Sequence, residues 1–263
     1  MIMEKTTTSE IPQSAFRMID RYEHIEVAPG VSLRCPYYRN PKSGRRRWGL
    51  MACAGKGSPS EIEEELLIIE KLENISFSEF PQEKVHEVMR KYRIGIDCSG
   101  FIVHVLNAWV LQKTGKPLWS FLAYHGEGFI KKIFWFLRPL SHISVRTLVS
   151  SENAVPLEDW RRIEPGDLMV FLGDIDHAAL ITRVHKDEED VCVGIEYAHS
   201  ALENGDGIVK NGSVMYKNPS PGPESQEWKE NPDTGHLIYE NRSAPLFFRL
   251  KIIARVLEIK THP

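Results

Sequence analysis

One stretch constrains this chain more than any other. Ile94-Gly95-Ile96-Asp97-Cys98-Ser99-Gly100-Phe101 runs straight into Ile102-Val103-His104-Val105-Leu106-Asn107-Ala108-Trp109-Val110. The second part is apolar on nearly every face and too long for a typical strand, so it reads as a helix. A helix apolar all round has to be buried. Residues 98–110 therefore predict a central helix with Cys98 in its first turn and Asp97 at or next to the N-cap. The amide groups at a helix N-terminus carry partial positive charge, so a thiolate there is favoured and the thiol pKa is expected to fall. Gly100 removes a side chain where another part of the chain has to come close.

Around that helix the composition is ordinary. The chain has 263 residues, 42% hydrophobic and 26% charged, with a net charge of −3, which suits a soluble protein with a sizeable core and gives no electrostatic footprint for nucleic acid. No apolar leader is visible in residues 1–30, and no run approaches the roughly 18 apolar residues of a membrane span. Four cysteines, Cys35, Cys53, Cys98 and Cys192, are too sparse for a disulfide scaffold and point to a reducing compartment. The expected location is cytoplasmic, or the cell wall by a route that needs no leader.

Residues 1–20 are polar and read as a flexible arm. Strands flank Pro29-Gly30. Arg45-Arg46-Arg47 is either a solvated loop or a clamp for an anionic group. Ser58, Pro59 and Glu61 form a capping box with proline at the first helical position, opening an amphipathic helix; a second follows Pro81. The basic-aromatic segment 129–138 fits a lid or core packing better than a membrane surface. The second half reads as strands: 168–172, 177–184 and 191–199, a long surface loop over 204–232, then one or two strands over 246–259.

His177 begins one of these strands and His199 ends the next. In an antiparallel hairpin the two lie at the same edge of the sheet. A cysteine at a helix N-terminus with a histidine behind it, and a further polar group behind that, is the arrangement of a thiol enzyme. The thiol attacks, the first imidazole moves the proton, and the third group fixes its tautomer.

The motifs Asp97-Cys98-Ser99-Gly100-Phe101, Pro165-Gly166-Asp167-Leu168 ahead of His177, and Tyr197-Ala198-His199-Ser200 together resemble the NlpC/p60 family of papain-like cysteine peptidases. The cysteine motif is the specific part, and the likeness covers roughly residues 95–200. It implies an α+β, papain-like fold with the nucleophile helix on an antiparallel sheet of about five to six strands. It also implies Cys98 as nucleophile, His177 as base and His199 as the orienting residue. Asp97 and Ser99 flank the nucleophile in the oxyanion and substrate region. The family's oxyanion tyrosine normally sits shortly before the cysteine; here Tyr38, far upstream, takes that assignment. The implied substrate is a peptidoglycan stem peptide cut between γ-D-glutamate and a diamino acid.

The expected organisation is a single such domain over residues 21–263, with a helical extension at about 58–92 and inserted segments at about 112–145 and 204–232 walling the substrate groove. No metal or other cofactor, no nucleic acid and no transmembrane segment are expected, and the protein is expected to be a monomer. Two alternatives remain open on the residues alone. The same Cys–His chemistry would serve an amidase or acyltransferase, and Cys98, His177 and His199 could instead be three zinc ligands.

Overall fold

The computed structural model describes residues 6–38, 51–124, 135, 137–173, 176–201, 208–215, 228–231 and 245–258. Its largest feature is an antiparallel sheet of eight strands among these residues. In chain order they are β1 (Thr7–Glu10), β4 (Ala154–Leu157), β5 (Leu168–Phe171), β6 (His177–Lys186), β7 (Cys192–Ala201), β8 (Ile208–Met215), β9 (Trp228–Asn231) and β10 (Leu246–Leu250); a separate hairpin is made by β2 (Ile25–Ala28) and β3 (Val31–Leu33). The sheet order is β4-β10-β5-β6-β7-β8-β9. Both β5 and β1 lie along β6, β5 against its start (Phe171 opposite His177) and β1 against its end (Thr7 opposite Lys186).

The helices are α1 (Gln13–Glu23), α2 (Pro59–Glu73), α3 (Gln82–Tyr92), α4 (Cys98–Thr114), the short α5 (Val145–Leu148) and α6 (Lys251–Glu258). The architecture is thus α+β. As its sequence requires, α4 is central: Phe101, Ile102, Val103, Val105, Leu106, Trp109 and Val110 are all buried. It packs against α1, α6 and strands β6 and β7. Burying side chains on every face ties this helix to three layers at once. Truncating one such leucine or isoleucine to alanine costs about 2–5 kcal/mol.

The capping box forms as read: the Ser58 side chain accepts from the Glu61 amide, and the Glu61 carboxylate accepts from the Ser58 amide. The Gly166-Asp167-Leu168 motif is a structural corner. Asp167 is fully buried and takes a bidentate ion pair from Arg249, with both contacts at 2.8 Å, plus the Glu164 amide at 2.7 Å. It fastens the start of β5 to the neighbouring strand β10.

Four expectations are corrected. Residues 7–23 are not a loose arm; β1 pairs with β6, and α1 packs its buried Ala15, Ile19 and Tyr22 inward, with α4 among its neighbours. The signal was there in the spacing of those three apolar positions, diluted by polar neighbours. The region read as a loop at 204–232 contributes β8 and β9, whose Gly and Asn content hid the strands. The last apolar stretch is a strand only as far as Leu250; Lys251–Glu258 turns into a helix that buries Ile252, Ile253 and Val256 on one face. The sheet is accordingly wider than the five to six strands expected. Arg45–Arg47 and most of the 129–138 segment lie outside the described residues.

Candidate active site

The N-terminus of α4 is built by three backbone segments meeting at one point. Asp97 is the N-cap, with extended φ and ψ, and its Oδ1 accepts from the Gly100 amide at 2.6 Å. Ile96 is held in a short bridge on each side: its carbonyl accepts from the Tyr38 amide at 3.2 Å, its amide donates to Pro36 at 3.0 Å, and it also bridges Lys56. The Asp97 amide donates to the Gly55 carbonyl at 2.9 Å. This crowding explains two glycines. Gly55 has φ +72, and a Cβ there would stand 2.3 Å from the Tyr38 carbonyl; a Cβ on Gly100 would stand 2.5 Å from the Gly55 carbonyl. Both positions admit only glycine, and the close approach expected at Gly100 is the turn at Gly55.

Lys56 enters this junction buried. Its Nζ lies 2.7 Å from Asp97 Oδ1 and 2.6 Å from Ser99 Oγ, and Ser99 Oγ donates to Asp97 Oδ1 at 2.9 Å. Ser99 also lies 3.4 Å from the Ile143 carbonyl, so the segment before α5 closes one side. Sequence reading passed over Lys56, because a lysine between two glycines looks like a solvated turn.

Cys98 is 5% exposed. Here the expectation of a lowered thiol pKa is overturned. Burial pushes the thiol up to about 11, the Asp97 carboxylate adds to that, and the amide of Ala178, the Lys56 ammonium and the amide of Ser99 pull the other way. Removing the sulfur from water costs the thiolate more than the helix terminus returns. The other cysteines are buried, and desolvation chiefly pushes up the thiols of Cys35 and Cys192.

The Ala178 amide at the sulfur puts Cys98 beside the peptide that joins His177 to Ala178. The hairpin β6–β7 then does what its register requires. Leu180 pairs with Ala198; one step further, His199 falls opposite Ala179, diagonal to His177 on the same face. His177 Nε2 and His199 Nδ1 are 3.0 Å apart, with ring centroids at 5.1 Å in an edge-on arrangement. Phe171 stacks on His177 at 6.3 Å and Tyr197 packs against His199 at 5.6 Å. Both imidazoles are buried, at 3% and 0% exposure, so the contact between them is shielded from water. On the alternate positions, Ser200 donates to the Ile96 carbonyl at 2.8 Å, tying this hairpin to the approach to Cys98.

The structure therefore gathers Asp97, Cys98 and Ser99 with the Ala178 amide, and joins His177 to His199. Tyr38 is brought to the same junction through its backbone at Ile96. Its hydroxyl is buried beside Arg93 and Cys53, and burial raises its pKa while Arg93 opposes the rise. Arg146 of α5, which sequence reading did not single out, makes a bidentate pair with Asp176 at 2.7 and 3.0 Å, anchoring the residue before His177. Nothing in an isolated arginine marks such a tether.

Among the described residues no group of three or more His, Cys, Asp or Glu side chains could hold a metal ion, and no helix is long and apolar enough to cross a membrane. No family model, curated protein or solved structure matches this chain.

Proposed function

We propose that this protein is a papain-like cysteine hydrolase of the NlpC/p60 type that cleaves an amide bond in peptidoglycan stem peptides. The observation that carries the reading is the 3.0 Å contact between His177 Nε2 and His199 Nδ1, with the amide of Ala178, the residue after His177, at the Cys98 sulfur. In a pair of imidazoles joined through one nitrogen each, one ring donates and the other accepts, which couples the tautomer of each to that of its partner. With the shared proton on His177 Nε2, Nδ1 of the same ring is the nitrogen that takes the proton of Cys98.

In this reading Cys98 Sγ attacks the amide carbonyl as its proton passes to His177. The oxyanion forms at the N-terminus of α4, where first-turn amides have no partner within the helix and face developing negative charge. His177 then returns the proton to the leaving amine, and water hydrolyses the thioester. A thiol pushed up to about 11 is neutral at physiological pH. His177 thus acts as a general base during attack and not as half of a standing ion pair. The buried Lys56–Asp97–Ser99 contacts hold the helix end that presents the nucleophile.

The test is digestion of purified muropeptides by wild-type protein and Cys98→Ala, read by mass spectrometry. Products from wild type alone, with masses giving the γ-D-glutamyl–diamino acid bond, are the expected result. Equal cleavage by Cys98→Ala would remove the thiol from the mechanism, and no cleavage by wild type would remove stem peptides as the substrate.

A further inference from the structure

Lys56 is a cation placed where a lysine is expensive. It is 6% exposed, and its backbone is held on both sides: the residue bridges Ile96, and its carbonyl accepts from His104 Nε2 at 2.9 Å, from the second turn of α4. A buried ammonium persists only when it is paired and hydrogen-bonded. Its two partners, Asp97 Oδ1 and Ser99 Oγ, flank Cys98 in the chain.

Capping alone does not call for this arrangement. An N-cap needs a side-chain oxygen, and asparagine or serine supplies one without charge. An aspartate there brings a full negative charge next to the nucleophile, where it opposes the thiolate. The charged and titratable groups acting on the sulfur are that carboxylate and the Lys56 ammonium, together with the Ser99 and Ala178 amides; His177 is the neighbour of the latter. The ammonium, 2.7 Å from the carboxylate, turns a charge into a local dipole.

We propose that Lys56 is a positioning residue of the cysteine site: by pairing with the Asp97 cap it cancels the field of that carboxylate at Cys98 and so keeps the sulfur ionisable for attack. Ser99, touching both, holds the pair in register with the first turn of α4. The inference rests on Cys98 being a nucleophile; it makes no use of which peptide is cleaved.

The experiment follows alkylation of Cys98 by iodoacetamide against pH, quantified on the Cys98 peptide by mass spectrometry. The full-length proteins are wild type, Lys56→Met, Asp97→Asn and the double variant. The Lys56→Met profile is expected to move to higher pH, with alkylation at neutral pH slowed about tenfold, the equivalent of one pKa unit. Asp97→Asn is expected to move the profile to lower pH. The double variant, with neither charge, is expected to return to within about threefold of wild type, well inside the tenfold step. A Lys56→Met profile superimposed on wild type overturns the proposal, as does a double variant as slow as Lys56→Met, which would make the role of the ammonium purely structural. If Lys56→Met fails to fold, by circular dichroism, Asp97→Asn carries the test, and an unmoved profile there is equally fatal. Alkylation needs no peptide substrate. Shifts as expected without any muropeptide cleavage would sink the peptidase reading alone, and cleavage with unmoved profiles would sink this inference alone.

Discussion

Replacing Arg249 by methionine should expose how the Gly-Asp-Leu corner is held. The change keeps an unbranched stem and removes the guanidinium from Asp167, whose carboxylate is fully buried and retains only the Glu164 amide at 2.7 Å. Two contacts at 2.8 Å are lost, as is a third to the Arg162 carbonyl at 3.0 Å. Breaking a buried ion pair by removing one partner costs about 3–5 kcal/mol. Arg249 is 23% exposed on its side chain and one amide bond to Asp167 survives, so the low end applies. A loss of about 3 kcal/mol lowers Tm by about 6–12 °C for a chain of this size. The pH dependence is the sharper test. Burial already raises the Asp167 pKa, with Arg249 opposing; without Arg249 it rises further. A carboxylate whose folded pKa lies above its unfolded value, about 3.9, costs stability increasingly as pH rises. The gap between wild type and Arg249→Met should therefore be small near pH 4 and widen toward pH 8, by urea unfolding at constant ionic strength. A gap that stays constant over that range, or closes as pH rises, would refute the reasoning.

Cys98→Ala and His177→Ala should each reduce muropeptide turnover to background with unchanged circular dichroism, whereas His199→Ala should lose less, about 10²–10³-fold, because it acts through His177; comparable loss in all three would make His199 more than an orienting group. Gly212→Ala sets a Cβ within 2.3–2.7 Å of the Tyr197 ring, which packs on His199. That ring has to move, so a stability loss of about 1–3 kcal/mol should come with reduced turnover. His104 is held below the usual histidine range, first by burial. Its contribution to stability is present above pH about 6.5 and is lost as pH falls below it. His104→Gln, which keeps a donor toward the Lys56 carbonyl, should flatten that acid limb in thermal unfolding.

The parts of this protein legible in the sequence are those fixed by local rules. Residues 98–110 could only be a buried helix, Ser58-Pro59-x-Glu61 could only open one, and the spacing of His177 and His199 is a property of one hairpin. What was hidden depends on partners remote in the chain. The strand Thr7–Glu10 is too short and polar to declare itself and exists because the end of β6 beyond β5 offers unpaired backbone. Trp228–Asn231 likewise joins the sheet only through β8. Lys251–Glu258 follows a strand without a break, and a β-rich apolar run leaves no mark where period two becomes period 3.6. Lys56 belongs to the same class, since its burial is decided by Ile96, Asp97 and Ser99 and by nothing in its own neighbourhood.

The thiol is where local and remote rules collide, and there the remote one wins. A helix N-terminus favours a thiolate by its partial charge, an effect confined to the first turn. Desolvation acts on the whole sulfur, and at Cys98, buried beside the Ala178 amide of the sheet, it dominates. In the proposed mechanism the site then has to release that proton during the reaction. That places the demand on a base, the role proposed for His177 with His199 at 3.0 Å from it, and on neutralising the nearest carboxylate, the role proposed for Lys56 at 2.7 Å from Asp97. A nucleophile hidden from water and three supporting side chains drawn from remote parts of the chain are, on this account, one solution to a single electrostatic problem.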